Sequence, residues 1–286
     1  MKKKSRFLQT PIEPFVVESG LSAEQVIARM ERISFQGRNL ATAHHIWHKM
    51  LQDDVTIFLG MAGALSAGGL RLVVSHLILH RYIDCLVSTG ANLYHDLHET
   101  RGQRHFVGSP HADDAALADE RIDRVYDTYA SEEEFCSNDE WIADFACTLE
   151  TRQYTSREFV YLLGGGTPKN FINQASVQAE FYSDKVGGHR YALQIVTDVP
   201  HFGGASGSSL EEAQSWGKVA TDSAKVSVQC DATIALPLLA SALATTSSPL
   251  LAARRRPEFT LAGRTMTVDG QPVPSERFEE VNAPAV

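Results

Sequence analysis

Two short apolar runs in this chain each end in a string of small residues. Val55-Thr56-Ile57-Phe58-Leu59-Gly60 leads into Ala62-Gly63-Ala64-Leu65-Ser66-Ala67-Gly68-Gly69, and Ile83-Asp84-Cys85-Leu86-Val87 leads into Ser88-Thr89-Gly90-Ala91-Asn92. Between them Leu70, Val73, Val74, Leu77 and Ile78 recur at helical spacing. Strands that are short and continuously apolar are buried on both faces, the habit of parallel sheets covered by helices. The order strand, small-residue turn, helix, strand makes a βαβ unit. The expected fold class is therefore α/β, a Rossmann-like, mostly parallel sheet flanked by helices. Such strand-end turns let a backbone approach a phosphate closely. The spacing is not GxGxxG, and a tight structural turn is the more ordinary reading of either one alone.

The rest of the chain extends this pattern. Ser22 is a helix N-cap before a stripe of Val26, Ile27, Met30 and Ile33, and further helices are expected over Leu40–Gln52 and Asn138–Leu149. Residues 100–135 read as a polar surface excursion with helical pieces. An apolar segment runs straight into Gly164-Gly165-Gly166, which would bring backbone close to a ligand. Tyr191–Thr197 and Lys225–Cys230 read as strands, the second ended by Asp231-Ala232-Thr233. From Thr245 the composition shifts to Ala, Ser, Thr, Pro and the basic run Arg254-Arg255-Arg256, and Asp269-Gly270 signals a small hairpin. The expected organisation is an arm at 1–20, one domain at 21–245 and a peripheral tail at 246–286.

Composition narrows the function classes. A net charge of −9 argues against a broad nucleic-acid surface and, weakly in salt, favours cationic small molecules. The four cysteines, Cys85, Cys136, Cys147 and Cys230, form no CxxC pair and read as reduced core thiols of a cytoplasmic protein. No secretory signal or membrane span is expected.

Glu211-Glu212-Ala213-Gln214-Ser215-Trp216-Gly217-Lys218 follows a Gly/Ser-rich run. Lysine is a covalent catalyst when its amine is neutral, a Trp face holds cations, and carboxylates hold ammonium groups. Taken alone, the stretch reads more simply as a surface helix capped by Ser208 or Ser209, with Glu211 and Glu212 in its first turn and Lys218 in a later one. The pairs His44/His48, His76/His80 and His95/His98 have helical spacing, but no HExxH glutamate or Cys cluster accompanies them, so no metal site is expected. A Ser-His-Asp hydrolase reading lacks a GxSxG elbow.

Together these stretches resemble the deoxyhypusine synthase family, in particular its bacterial deoxyhypusine synthase-like branch. The likeness rests on Thr56–Gly60, Asp84–Asn92, Leu163–Gly166, Glu212–Lys218 and Asp231-Ala232, in family order over roughly residues 20–243. Ser-Trp-Gly-Lys is its specific element. The resemblance implies a homotetramer with active sites between subunits. It also implies NAD as cofactor, and transfer of an aminobutyl group from spermidine through a lysine-bound imine to an acceptor amine. A protein lysine as acceptor gives deoxyhypusine, and putrescine gives homospermidine. Lys218 takes the imine-forming position, and Glu212, Trp216 and Ser206 take polyamine-holding ones. Ser88, Thr89, Gly90, Gly164, Gly165, Gly166, Thr197, Asp231 and Ala232 take NAD positions.

Several positions depart from the family pattern. Asn170 stands where the family has a pocket histidine, Gln194 where it has a tyrosine, Ala205 where it has an aspartate, and Tyr94-His95 where it has an acidic pair. Near 160–164 a family segment on the order of 60 residues, about two βαβ units, is missing. The alternative function is thus a catalytically impaired relative, oligomeric, that binds a nucleotide or polyamine.

Overall fold

The computed structural model describes residues 7–149, 172, 187–199, 209–262 and 265–272. Helix α1 (Ala23–Met30) opens with a reciprocal capping box, Ser22 with Gln25, and α2 (Phe35–Gln52) packs against it. Strands β1 (Phe58–Met61) and β2 (Cys85–Ser88) pair in parallel. Their crossover is a π-turn (Ser66–Leu70) followed by α3 (Arg71–Leu79). After β2 comes α4 (Gly90–Thr100).

Strand β3 (Phe106–Val107), helix α5 (Asp114–Asp119) and strands β4 (Ile122–Val125) and β5 (Thr128–Ser131) follow. The three strands form an antiparallel sheet in the order β3-β5-β4, where helical pieces were expected. Alternation in Ile122-Asp123-Arg124-Val125, half-buried then exposed, is the signature of a strand with one covered face. Helix α6 (Glu132–Cys147) starts six residues earlier than Asn138, because Ser131 caps the Glu134 N–H and the three glutamates sit favourably at its N-terminal end.

Strand β6 (His189–Val196) pairs in parallel with β7 (Val219–Gln229), with the one-turn helix α7 (Glu212–Ser215) between them in sequence. Helices α8 (Ala232–Thr246) and α9 (Ser248–Leu251) come next. A hairpin sheet of β8 (Phe259–Ala262), β9 (Thr265–Val268) and β10 (Gln271–Pro272) turns at Asp269-Gly270, as the sequence signalled. Both turn residues have positive φ, 49° and 75°. Among the described residues the parallel strands form two separate pairs rather than one continuous sheet.

One core unites the pairs. Ile27, Leu40, Trp47 and Leu51 meet Leu77, Val228, Leu236, Leu239 and Leu243, with Leu59, Leu86, Leu193 and Ile195 packed against them. Each such buried side chain contributes about 1.5–3 kcal/mol relative to exposure.

The basic run does not lie apart from this core. Asp84, at the entry to β2, is buried to 2% and takes Arg254 Nη1 and Nη2 on its two oxygens, at 2.9 and 2.6 Å. It also takes Arg256 Nε at 3.2 Å and the Ile57 N–H at 2.8 Å. Burial alone would raise this carboxyl, but the Arg254 hydrogen bonds, the Ile57 N–H and the guanidinium charges outweigh it and hold it below the usual range. The cysteines are less enclosed than expected: Cys136 and Cys147 are exposed on α6, and Cys85 and Cys230 are half-buried.

Imidazoles join α4 to α6. Glu99 accepts from His105 Nδ1 at 2.9 Å, His105 Nε2 meets His95 Nδ1 at 2.9 Å, and His98 Nδ1 meets the Asn138 amide at 3.1 Å. His98 is wholly buried and lies 3.3 Å from Glu134. Burial, reinforced by His105 and His98, lowers His95 to about 4, and burial also lowers His98.

Candidate functional site

Three turns converge at the carboxyl ends of β1, β2 and β7. Ser88 ends β2, Thr89 is the N-cap of α4, and Gly90 is its first residue. The Thr89 N–H donates to Met61 O at 3.1 Å and its hydroxyl to Gly63 O at 2.6 Å, so the turn after β2 is tied to the turn after β1. The hydroxyl makes no cap to its own helix, which leaves N-terminal donors of α4 to an outside acceptor. Gly63 and Gly69 have φ of 70° and 84°, and added Cβ atoms there would meet open space. These glycines serve backbone reversal, and they leave room beside the turn.

Asn92 is the residue that sequence reasoning passed over. It is 2% exposed, accepts from the Ser66 N–H at 3.2 Å, takes the Ser66 hydroxyl on its carbonyl at 2.8 Å, and donates to Thr89 Oγ1 at 3.2 Å. The signal was one polar residue inside a small-residue turn. Its burial depends on the π-turn folding over it.

Asp231 and Ala232 stand at the end of β7. Asp231 caps α8 through the Thr233 N–H at 2.7 Å, and the Thr233 hydroxyl donates to the same oxygen at 2.6 Å. Those two bonds, side chain first, hold its carboxyl below the usual range. Its other oxygen is a ready acceptor for hydroxyls. The Thr233 methyl lies 3.7 Å from where a Gly68 Cβ would be, so the start of α8 touches the π-turn. Thr197 directly follows Val196, whose carbonyl accepts from Cys230 N at 3.2 Å. Ser88, Thr89, Gly90, Thr197, Asp231 and Ala232 are thus brought to neighbouring turns.

Lys218 lies elsewhere. The expected helix is only one turn long, and Lys218 is beyond it, on a reversal made by Gly217 at φ 67°. Its N-cap position is Glu211, which makes no side-chain cap, while Ser209 Oγ accepts from Glu212 N at 3.1 Å. Leu210 and Ala213 are buried to 5% and 1% and root the turn. Gln214 Nε2 bonds Ala220 O and Thr221 O across it at 2.9 and 3.1 Å. The Lys218 N–H donates to Ala213 O at 3.0 Å, and its carbonyl accepts from His189 N at 2.9 Å. Its backbone is fixed on both sides while the ammonium lies 5.3 Å from the centroid of the Trp216 ring. Trp216 is 65% exposed, so an aromatic surface stands open beside the amine, and Glu212, in the preceding helical turn, is also exposed.

The two groups occupy opposite ends of one ladder. His189 pairs with Val219, next to Lys218, and Val196 pairs with Gln229, two residues before Asp231. Eight residues of β6 span that interval, roughly 23 Å over its seven steps at ~3.3 Å each. Gly164, Gly165, Gly166, Asn170, Ser206 and the junction at 160–164 lie outside the described residues. Among the described residues no His/Cys/Asp/Glu cluster suits a metal ion. No described helix is long and apolar enough to cross a membrane.

The family model for deoxyhypusine synthase matches residues 25–164 and 160–243. This chain belongs to the deoxyhypusine synthase family. A Methanosarcina acetivorans protein named "Probable deoxyhypusine synthase 2" is 37% identical, over 83% of this chain and 90% of its own length. Its namesake from Archaeoglobus fulgidus is 39% identical over 75% and 95%. A "Deoxyhypusine synthase-like protein" of Coxiella burnetii is 31% identical over 83% and 90%. The crystal structure of a candidate deoxyhypusine synthase from Entamoeba histolytica overlays at a TM-score of 0.46 and 15% identity, covering 82% of this chain and 98% of that one, too slight a likeness to carry weight. Membership of the deoxyhypusine synthase family supports an aminobutyl transferase role. The two matched stretches meet at the 160–164 junction that the sequence singled out.

Proposed function

We propose that this chain is an NAD-dependent aminobutyl transferase acting on a polyamine such as spermidine, with Lys218 carrying the transferred group as an imine. The observation that carries the reading is the amine of Lys218 beside an open Trp216 face, on a turn whose backbone is pinned at both sides. Family membership supplies the reaction class.

The chain's residues fit a dinucleotide. Donors at the start of α4, around Thr89 and Gly90, would hold a phosphate; the Asp231 carboxylate would accept sugar hydroxyls; and the open space at Gly63 and Gly69 would admit the group. Ser88, Thr197, Ala232 and the Gly164–Gly166 run would complete that wall. When bound, NAD would accept a hydride from the carbon beside the polyamine's secondary amine and, as NADH, return it to the final product.

Trp216 would hold an ammonium against its face, and Glu212 would pair with another. Ser206 and Asn170 would contact the chain of the polyamine. The amine of Lys218 would attack the oxidised carbon, a C–N bond to Lys218 would form, and diaminopropane would leave with the electrons of the old C–N bond. An incoming amine then displaces Lys218 in the same way. That acceptor is a small amine or a protein lysine. With Lys218 and Asp231 at opposite ends of the β6–β7 ladder, one site would draw on two copies of a homotetramer.

Incubation with NAD and spermidine, borohydride reduction and peptide mass spectrometry tests this. The expected result is an aminobutyl adduct on Lys218, absent without NAD. No adduct while NAD still binds would overturn the transferase reading and leave a nucleotide-binding relative.

A further inference from the structure

A secondary amine releases hydride from its neighbouring carbon only when the nitrogen holds a free electron pair. With a pKa near 10.4, as for lysine, such an amine is neutral in roughly one molecule in 2,500 at pH 7. The transferase reading therefore calls for a proton acceptor near the candidate cofactor turn. Helix α4, which starts in that turn, offers one. Asn92, His95 and His98 are its buried residues. Asn92 donates to Thr89 at the mouth of the turn, and His95 follows one helical turn later on the same face. Helical side chains lean toward the N-terminus, so the His95 ring covers the side of α4 nearer the turn.

Hydrogen bonds fix which nitrogen of His95 carries its proton. The Glu99 carboxylate can only accept, so His105 Nδ1 donates to it at 2.9 Å. In a neutral His105 ring Nε2 is then an acceptor, and it accepts from His95 Nδ1 at 2.9 Å. His95 Nε2 is left with a lone pair to which no described residue bonds. The two ring nitrogens face nearly opposite ways, so Nε2 turns away from His105 and Glu99. The row thus runs from Glu99, in the last turns of α4, toward the start of the helix. His98 is set differently. Its Nε2 donates to Arg104 O at 3.2 Å and its Nδ1 accepts from the Asn138 amide at 3.1 Å, which leaves it no open nitrogen. Burial first, then His105 and His98, hold His95 at about 4, so a proton that reaches this ring does not rest on it. The other titratable or charged groups around the row are Tyr94, His98 and Arg101 from α4 and its end, and Glu134, Cys136 and Asp139 from α6; the π-turn packed on α4 brings none.

We propose that His95 Nε2 is the base that takes the proton from the secondary ammonium of the bound polyamine, with His105 and Glu99 as the residues that position it and carry the charge away. This rests on the transferase reading and names the proton acceptor of the same site. The ammonium N–H bond breaks and leaves its electrons on the nitrogen. The proton joins His95 Nε2, the Nδ1 proton of His95 crosses to His105 Nε2, and Glu99 balances the imidazolium that results. The pair left on the amine nitrogen lets the adjoining carbon release its hydride. The basicity that counts is that of the His105–Glu99 pair, where the proton's charge ends, rather than that of His95 alone.

The step is read as NADH appearance when the full chain with NAD is mixed with spermidine. The wild-type rate should be nearly flat from pH 7 to 9. His95→Ala should be slower at pH 7 by about 10²- to 10⁴-fold, with the spermidine KM little changed. Its rate should climb by about tenfold per pH unit as free amine replaces ammonium, and added imidazole should restore part of it. Glu99→Gln should slow the step without such rescue. Rescue requires a folded chain, so it separates loss of the base from loss of structure. Independently of turnover, diethyl pyrocarbonate should label His95, read by peptide mass spectrometry, and spermidine with NAD should slow the labelling. A wild-type chain that forms neither NADH nor the Lys218 adduct overturns the transferase reading and this proposal together. If the wild-type chain forms both, a His95→Ala rate equal to wild type, or one that neither pH nor imidazole restores, overturns the proposal alone. So does a His95 that escapes labelling, or one that spermidine and NAD leave unprotected.

Discussion

At Lys218, shape and chemistry separate cleanly. The backbone bonds to Ala213 and from His189 do not involve the side chain, so Lys218→Ala should fold normally. It should leave melting temperature within the ordinary range of a surface change while abolishing the borohydride-trapped adduct; an adduct elsewhere on the chain would refute the assignment. Trp216 is exposed, and Trp216→Ala should cost little stability. Loss of a cation–π contact worth about 0.5–2 kcal/mol should raise the polyamine KM by roughly 2- to 30-fold, with less effect on NAD binding. A larger structural cost is expected at Arg254, which pairs with Asp84 at the entry to β2. Arg254→Leu leaves the buried Asp84 carboxylate to Arg256 Nε and the Ile57 N–H, and urea denaturation should show a loss of up to about 3–5 kcal/mol.

At the scale of elements, the turn that presents Lys218 depends on a glycine in a different strand segment. A Cβ on Gly188 would lie 2.6 Å from Gly217 O and 2.6 Å from the Val219 carbonyl carbon, both backbone. Gly188→Ala should therefore displace the Lys218 turn and lower adduct yield together with stability, whereas Gly187→Ala, which meets open space, should do neither. The α4–α6 junction has its own signature. His95 titrates near 4 in the fold against about 6.5 unfolded, and His98 is lowered too, so the unfolded chain binds more protons. The contribution of His95 is complete above about pH 6.5 and is lost as pH falls toward 4, by at most roughly 1.4 kcal/mol per pH unit, and His98 acts in the same direction. Melting curves between pH 7 and 5 should show that slope, and His95→Gln should flatten it.

These elements also mark what the sequence could tell. The βαβ unit, the strand-end turns and the Asp-Gly hairpin were legible because each is written in neighbouring residues. The antiparallel β3-β5-β4 sheet was not: its strands have two to four residues each, and the polar faces that make them strands also make them read as surface excursion. The stretch before Lys218 was read as a helix reaching that lysine, whereas the helix ends at Ser215, since capping signals do not say how long a helix runs. The roles of Asn92 and of the Arg254–Asp84 pair were invisible, because burial of a polar side chain is decided by a partner 26 or 170 residues away.

For the whole molecule, the separation of Lys218 from Asp231 makes the proposed two-copy site testable. Copies with Lys218→Ala and copies with Asp231→Ala should each be inactive in adduct formation. Mixed and allowed to exchange subunits, they should recover a measurable fraction of it. Recovery that fails despite exchange, shown by mass spectrometry of mixed oligomers, would mean that one chain holds both ends of its own site. The Arg254–Asp84 lock bears on a different matter, the order in which the protein is made. Asp84 leaves the ribosome 170 residues before the arginine that neutralises it, on the order of ten to thirty seconds at usual synthesis rates. Throughout that interval the nascent β1–β2 pair holds a carboxylate that it cannot bury, so its native burial waits for the C-terminal segment to emerge.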